Sequence, residues 1–261
     1  MGGRRAVVEA LRSGRASRVV IASGSERTEG LRSVLAEAER QRVSVEHVDR
    51  RELDAVAGDD HQGVVAFVTP PRELDERELR DRTWTPDALV VVLDGMTDPQ
   101  NFGACARSAE AAGAELLLAR HRRAAPFTAA AVRASAGALL HLPVARVHNL
   151  VRALESLQDR GFTTVGLDQR AQATIHDAAP GRPLALVVGA EGEGISRLVR
   201  ERCDLLVSIP MPGRTASLNA SAALSVALFG FALRPRTEPR TEPSTRLESP
   251  AELAVGFEPT T

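Results

Sequence analysis

The sequence predicts an α/β protein with a small N-terminal α/β domain and a C-terminal domain built on a mostly parallel sheet. The chain has 261 residues, which corresponds to about two domains at roughly 150 residues each. Its composition, 43% hydrophobic and 26% charged, is that of an ordinary globular protein. In the second part of the chain, continuous apolar runs alternate with helical patterns, which is typical of strands buried between two layers of helices.

The N-terminal domain is predicted to span residues 1–69. Leu31, Val34, Leu35 and Ala38 recur at helical spacing, whereas other segments are short, apolar and bounded by glycine or polar turns. The pattern predicts helices at 4–13 and 26–42 and strands at 18–23, 43–48 and 64–69.

Residues 70–86 are predicted to link the two domains, because this segment begins and ends with proline and mixes both charges densely. The C-terminal domain is predicted to span 87–234, with its last helix at 217–234. Residues 235–261 contain the tandem RTEPRTEP and no apolar periodicity, which predicts a disordered tail. Apolar runs predict strands of the C-terminal domain at 88–95, 115–119, 142–147, 162–167, 183–189 and 204–210.

The charge of the chain is balanced overall but uneven along the sequence. The net charge is −1, and all 33 basic residues are arginine. Within 101–152, seven arginines face only two glutamates, a local net charge of +5, and residues 1–18 add five arginines against Glu9. Two interpretations fit equally well: a surface for RNA phosphates, or solvated faces neutralised by acids elsewhere in the fold. The arginines of 101–152 are Arg107, Arg120, Arg122, Arg123, Arg133, Arg146 and Arg152.

Several function classes are excluded by what the sequence lacks. No apolar stretch resembles a signal peptide or reaches the eighteen or so residues of a membrane span, so we expect a cytoplasmic protein with no membrane partner. Cys105 and Cys203 are too few for a disulfide framework. The six histidines are scattered singly, so no metal site is predicted.

Three segments, 94–113, 187–196 and 209–224, each follow a predicted strand and lead into a helix. In open α/β sheets, ligands bind in the crevice outside the carboxyl ends of the strands. Polar residues crowd all three segments, so together they predict one composite ligand site.

The loop from Gly189 to Gly194 does not have the G-x-G-x-x-G spacing of a dinucleotide site, and its two glutamates would repel a pyrophosphate. A ligand that is cationic at its reacting atom, such as the sulfonium of S-adenosylmethionine, is compatible with them. The glycines allow backbone groups to approach a ligand closely. A flexible surface turn is the alternative interpretation.

The other two segments each contribute a pair of polar residues. Asn101 and Arg107 lie six residues apart where a strand leads into a helix, so a carboxamide and a guanidinium can face one crevice. Ser217 and Asn219 stand at the start of the final helix, where capping of the helix is the alternative explanation.

Taken together and in order, these motifs resemble a known family. N-F-G-A-x-x-R at 101–107, V-x-G-A-E-G-E-G-I at 187–195 and I-P-M-x-G-x-x-x-S-L-N at 209–219 resemble the three motifs of the SpoU (TrmH) family of RNA ribose 2′-O-methyltransferases. GRRAVVEAL at 3–11 and HQGVVA at 61–66 are similar to the RNA-binding N-terminal domain of the large-subunit rRNA guanosine branch. The resemblance covers residues 3–233 and excludes the tail.

The resemblance implies a C-terminal domain with a trefoil knot, S-adenosylmethionine as cofactor, RNA as substrate and a homodimer that completes the site. It also implies a cofactor pocket that includes Gly189, Glu191, Ile209 and Leu218. The catalytic group implied by the matching motif positions is Asn101, Arg107, Glu191, Ser217 and Asn219.

The implied reaction is methylation of the ribose 2′-hydroxyl of a guanosine in large-subunit rRNA. Because a guanidinium is rarely neutral, we expect Arg107 to clamp the target phosphate and ribose oxygen rather than to accept the proton. The same reaction on tRNA, a non-catalytic RNA-binding module and, more distantly, a Rossmann dehydrogenase are the alternatives. His61 and Gln62 fit either an RNA contact or an ordinary turn before a strand.

Overall fold

The described residues form two separate sheets, one of three strands and one of six. They are seen in a computed structural model that describes residues 1–25, 29–58, 61–122, 124–215 and 217–232. The predicted tail, 235–261, and Arg123 lie outside the described residues.

The first sheet belongs to the N-terminal part of the chain and has the strand order β2-β1-β3. β1 pairs with β2 in parallel and with β3 in antiparallel orientation. The three predicted strands are present, with ends shifted by one or two residues. The elements are α1 (Arg4–Arg12), β1 (Ala16–Ala22), α2 (Glu29–Gln41), β2 (Ser44–Val48), α3 (Arg50–Ala57) and β3 (Val64–Val68).

The segment predicted to link the domains packs against the second sheet. It contains α4 (Glu76–Asp81), which begins with a capping box at Asp75 and buries Leu79. Before this helix, the Leu74 N–H donates to Val144 O (2.8 Å) and Leu74 O accepts from Arg146 N (2.9 Å). The connection therefore has a defined path along one strand of the larger sheet.

The second sheet confirms the predicted parallel architecture: its order is β6-β5-β4-β8-β7-β9, and every described pairing is parallel. The apolar run at 204–210 forms a strand of only three residues. The elements are β4 (Leu89–Asp94), α5 (Pro99–Ala111), β5 (Leu116–Arg120), α6 (Ala129–Ala134), a 3-10 helix (Ala138–Leu140), β6 (Val144–Val147), α7 (Leu150–Gln158), β7 (Thr163–Leu167), β8 (Leu184–Gly189), α8 (Arg197–Arg202), β9 (Leu205–Val207) and α9 (Ala220–Ala232).

The larger sheet is covered on both faces, which is why its central strands are apolar at every position. All six residues of β4 are buried. Side chains alternate across a strand, so Leu89, Val91 and Leu93 pack into one hydrophobic cluster while Val90 and Val92 pack into another. The first of these clusters also contains residues of α1 and β1, so one core runs through both parts of the chain.

Contacts of α1 and of the turn that follows it hold the two parts together. Arg15 Nε donates to Leu140 O (3.1 Å), and the His141 imidazole lies 3.3 Å from a carboxylate oxygen of Glu9. Gly137 adopts φ 93°, and a Cβ at this position would overlap the side chain of Glu9. Glycine is therefore required where the N-terminal helix meets the second domain.

Candidate active site at the carboxyl edge of the sheet

The ends of β4 and β8 lie side by side, because Asp94 is paired in register with Gly189. The strands are parallel, so the segments that follow them leave the sheet at the same edge. These are two of the three motif segments. The third leads into α9, which packs against α5 and β8.

Asn101 is fixed by the first turn of α5. Asp98 caps this helix, with its carboxylate accepting from the N–H groups of Gln100 and Asn101, and Pro99 occupies the first turn, where no N–H partner is needed. The Asn101 side chain then reaches both other motifs: its Nδ2 lies 3.4 Å from Glu191 Oε2, and its Oδ1 accepts from the Asn219 amide at 2.9 Å.

The loop that carries Glu191 is a tight turn at the surface. Ala190 forms an isolated bridge with Gly194, and the Gly194 N–H donates to Ala190 O at 2.9 Å. Gly192 and Gly194 both adopt positive φ. A Cβ on Gly189 would overlap the backbone of Gly194, so glycine at the end of β8 lets the loop fold back over the strand.

Asn219 connects the third motif to the other two. Its Oδ1 accepts from the N–H and the hydroxyl of Ser221 at the start of α9, at 2.9 and 2.6 Å. Its Nδ2 donates to Asn101 Oδ1 and, at 3.1 Å, to Glu191 Oε2. The side chain therefore caps the helix and orients the site, and the helix begins three residues later than predicted.

Five of the predicted site residues line one pocket beside this cluster. They are Gly189, Glu191, Ile209, Ser217 and Leu218.

The pocket combines apolar walls with acidic groups. Asp168 and Glu193 also line it, together with Arg170, whose Nε lies 3.6 Å from Asp168. Burial of Asp168 would by itself raise its pKa, but hydrogen bonds from the Arg170 N–H and the Arg200 guanidinium outweigh it and lower the pKa below the usual range. Asp168 is therefore a carboxylate at neutral pH, and the guanidinium groups of Arg170 and Arg200 balance its charge.

Two predicted site residues stand apart from the hydrogen-bonded cluster. Arg107 lies on α5 six residues beyond Asn101, about 9 Å further along the helix axis, and its side chain is exposed. Ser217 is also exposed and lines the pocket. Neither side chain makes a hydrogen bond or ion pair with another described residue in this structure.

A second set of residues supports the site and was missing from the sequence-based prediction. The Asp94 carboxylate is buried at the end of β4, where it accepts from Arg120 at 2.9 and 2.7 Å and from the Ser196 N–H at 2.8 Å. Arg120 also donates to the Ser196 hydroxyl. Ser196 directly follows the Glu191 loop, so Asp94 ties that loop to two strands. The sequence signal that could have identified Asp94 is its position as a charged residue at the end of a strand. Asp168, directly after β7, has the same kind of position.

The structure divides the predicted basic segments into paired and unpaired arginines. Arg120 and Arg146 are neutralised by Asp94 and Glu73, which lie outside the segment 101–152. Among the described residues, four arginines of that segment are exposed and have no carboxylate partner. These are Arg107, Arg122, Arg133 and Arg152.

His61 has a structural role. Its side chain is 0% exposed, its Nδ1 accepts from the Gly63 N–H, and its Nε2 donates to Asp54 at 2.7 Å. The interpretation as an RNA contact is therefore wrong for His61, whereas Gln62 beside it is exposed and adopts φ 54°.

None of the described helices is both long and apolar enough to cross a membrane. No group of three or more histidine, cysteine or acidic side chains in the described ranges is arranged to hold a metal ion.

Comparison with known proteins places this geometry in a family. Residues 88–229 match the family model described as the SpoU rRNA methylase family, and residues 2–74 match the one described as RNA 2′-O ribose methyltransferase substrate binding.

Two curated relatives and one solved structure illustrate the similarity. A 23S rRNA (guanosine-2′-O-)-methyltransferase RlmB of Pseudomonas putida is 45% identical over 76% of this chain and 81% of its own length. A tRNA/rRNA methyltransferase of Mycobacterium avium, described as uncharacterized, is 43% identical over 87% of this chain and 74% of its own length. The SpoU methyltransferase AviRb of Streptomyces viridochromogenes, solved with AdoMet, superposes with a TM-score of 0.71 and 28% identity, covering 89% of this chain and 88% of that one.

The fold, the three converging motifs and these matches lead to one assignment. This chain belongs to the SpoU rRNA methylase family.

Proposed function

We propose that this protein transfers a methyl group from S-adenosylmethionine to the ribose 2′-hydroxyl of a guanosine in large-subunit rRNA. The observation that carries the proposal is the hydrogen-bonded cluster of Asn101, Glu191 and Asn219 beside a pocket with acidic and apolar walls. The name of the Pseudomonas relative, at 45% identity, supports the choice of guanosine and of rRNA.

The residues present fit the proposed cofactor. When bound, S-adenosylmethionine supplies a methyl group on a positively charged sulfur, which a ribose 2′-oxygen can accept. The carboxylates of Glu191 and Glu193 provide negative charge around the pocket, whereas Asp168 is paired with Arg170 and Arg200. Ile209 and Leu218 supply apolar contact area, and Gly189 lets the Glu191 loop fold back over the end of β8 beside the pocket. We therefore propose Gly189, Glu191, Ile209 and Leu218 as cofactor-binding residues.

The proposed catalytic residues have different tasks. Asn101 and Asn219 donate to the same oxygen of Glu191 and so hold its carboxylate at the pocket rim. Such fixed groups favour reaction by aligning the reactants before the chemical step. Ser217 offers a hydroxyl on the pocket wall. Arg107, exposed and unpaired among the described residues, is proposed to clamp the target phosphate and ribose oxygen through its planar fork.

We further propose that the protein works as a homodimer that pairs through α9. Ala222, Val226 and Phe229 form a stripe along this helix, because residues four and three positions apart share one helix face. Val226 is 42% exposed and Phe229 38% exposed. A continuous apolar stripe on a helix that has no charged residue suits the same stripe of a second copy better than water. Because the proposed substrate is rRNA, we also propose that the protein acts in the cytoplasm.

The same reaction on tRNA is the second candidate, because the Mycobacterium relative is named for both RNA classes. The test is transfer of labelled methyl groups from S-adenosylmethionine to large-subunit rRNA and to bulk tRNA, followed by mapping of ribose methylation. We expect one guanosine of large-subunit rRNA to be labelled. Labelling of tRNA alone would favour the second candidate. Cofactor binding without transfer to either RNA would show a non-catalytic RNA-binding module.

A further inference from the structure

A second cleft lies where the two parts of the chain meet, and it shares no described lining residue with the pocket of the proposed active site. It has a volume of about 510 Å³ and is formed mainly by the N-terminal segment and by the end of α6. Its size lies in the roughly 300–1,000 Å³ range of ligand-binding pockets. The lining residues are Gly2, Gly3, Arg4, Arg5, Ala6, Gly30, Gln62, Arg133 and Ala136.

The charge of this cleft is one-sided. Arg4, Arg5 and Arg133 line it, and among the described residues no acidic side chain does. None of the three forms an ion pair with another described residue, whereas Arg12 and Arg18 on the same part of the chain are paired with glutamates. Three guanidinium groups with no carboxylate partner among the described residues favour an anionic ligand, and their planar forks match the oxygens of phosphate.

The cleft is held in a defined shape. Arg4 Nε donates to Gln62 O at 3.4 Å, and the Arg4 N–H donates to Gln62 Oε1 at 3.3 Å. The Arg4 side chain crosses α2 at Gly30, where a Cβ would come within 2.7 Å of Arg4 Cδ. On the other wall, Arg133 lies in the last turn of α6, whose position relative to α1 is fixed by the contact between Gly137 and Glu9.

The walls also indicate which part of an RNA would enter. None of the described residues that line the cleft is aromatic, so these walls lack the stacking surface that proteins use for unpaired bases. Of the glycines that line it, Gly3 leaves open space beside its backbone, whereas Gly2 and Gly30 pack against His61 and Arg4. Cationic forks without aromatic rings suit the phosphate backbone rather than the bases.

We propose that this interdomain cleft binds phosphate groups of the substrate RNA, with Arg4 and Arg5 of the N-terminal part and Arg133 of the methylase part acting on one stretch of backbone. The proposal rests on the proposed function, since it requires an RNA substrate. It adds a contact that spans both parts of the chain, so that RNA held by the N-terminal domain is also held in register with the active site.

The test compares the full-length protein with Arg5→Gln, Arg133→Gln and the double variant, using large-subunit rRNA transcribed in vitro. Arg77→Gln is the matched control. Arg77 lies on α4, its side chain is 86% exposed, and its Nε is 3.7 Å from Asp81. It is not among the residues that line the cleft. We expect each cleft substitution to weaken RNA binding about fivefold and to reduce the slope of log Kd against log salt by about 1. Binding of S-adenosylmethionine should stay unchanged.

The outcomes separate the two proposals. If the wild-type protein neither binds nor methylates RNA, the proposed function fails. If it does both and the double variant matches Arg77→Gln in Kd and in salt slope, the cleft proposal alone is overturned. A third arm titrates inorganic phosphate: phosphate binding that depends on Arg5 and Arg133, with RNA binding unaffected by them, would identify a free-anion site and overturn the assignment to RNA.

Discussion

Asn219 shows how one side chain serves a helix and a site at once. Its Oδ1 caps α9, and its Nδ2 binds Asn101 and Glu191. Capping alone accounts for an asparagine at a helix start, so the sequence left both interpretations open. In the structure both interpretations hold, because the two ends of the carboxamide contact different partners.

Because the two ends of the Asn219 carboxamide have different partners, two substitutions at this position should have different effects. Asn219→Asp keeps the capping oxygen but places a second carboxylate near Glu191, so we expect methyl transfer to fall by a factor of about ten or more with little change in Tm. Asn219→Ala loses both functions, and loss of a cap of about 1 kcal/mol should also lower Tm by about 2–4 °C. Single-turnover kinetics and thermal unfolding measure the two effects. If Asn219→Asp transferred methyl groups at the wild-type rate, Asn219 would serve only as a helix cap.

The proposed clamp at Arg107 can be tested by a substitution that retains its charge. Arg107→Lys removes the planar fork, so we expect kcat/KM for RNA to fall about tenfold or more while cofactor affinity is unchanged. Arg152→Lys is the control, because Arg152 is also an exposed, unpaired arginine of the same basic segment. If Arg107→Lys turns over target RNA as well as the control does, the clamp is wrong.

Sequence patterns identify some of these residues and miss others for a physical reason. Asn101, Glu191 and Asn219 follow strands with glycine- or proline-marked turns, and such positions converge at one sheet edge. Asp168 follows a strand without any such mark. The partner of Arg120 lies 26 residues away along the chain, so its neutralisation depends on tertiary pairing that local charge counts do not contain.

The end of β4 acts as an anchor, because Asp94 connects it to the neighbouring strand β5 and to the loop after β8. Asp94 is only 2% exposed and binds Arg120 of β5 and the Ser196 N–H beyond β8. A buried carboxylate needs such partners, because an unpaired one would be strongly destabilising. The turn that carries Glu191 is thereby held from both ends, by Gly189 and by Ser196.

A double-mutant cycle at this anchor gives a defined expectation. Asp94→Asn should lower the free energy of unfolding by about 2–3 kcal/mol, less than for a fully buried pair because Arg120 is 35% exposed. Arg120→Gln should cost a similar amount, and the double variant should lose less than the sum, with a coupling of about 1 kcal/mol or more. Urea unfolding of the four proteins measures this. Additive losses would mean that the two side chains stabilise the fold independently.

The ends of the strands and helices depend partly on local sequence and partly on tertiary pairing. Continuous apolar runs predicted the central strands well, since burial on both faces leaves a clear pattern. The run at 204–210 forms only the three residues of β9, because pairing ends where β7 ends at Leu167. The start of α9 depended on the capping side chain, which the apolar pattern alone does not locate.

For the molecule as a whole, the predicted architecture is confirmed, whereas the homodimer remains a prediction. Two α/β parts and a parallel sheet follow from the spacing of apolar runs. The core shared between α1, β1 and the larger sheet arises from contacts distant in sequence, so the pattern did not contain it. The trefoil knot, implied by the family, also remains a prediction.

The proposed dimer can be tested by substitutions at matched exposed apolar positions. Phe229→Glu places a charge on the apolar stripe of α9, so we expect light scattering to show a dimer for the wild type and a monomer for the variant. Leu198→Glu on α8 is the control, because Leu198 is 57% exposed outside that stripe and should leave the dimer intact. A monomeric wild type, or a Phe229→Glu variant that remains dimeric, would contradict pairing through α9.

The path of the connecting segment has a further consequence for solubility. β6 is the outermost strand on its side of the larger sheet, and an uncovered outer strand offers free N–H and C=O groups to other chains. Leu74 satisfies two of these groups, on Val144 and Arg146, and the buried Arg146 side chain binds Glu73 in the same segment. The connection between the domains thus also shields this strand from intermolecular pairing and aggregation.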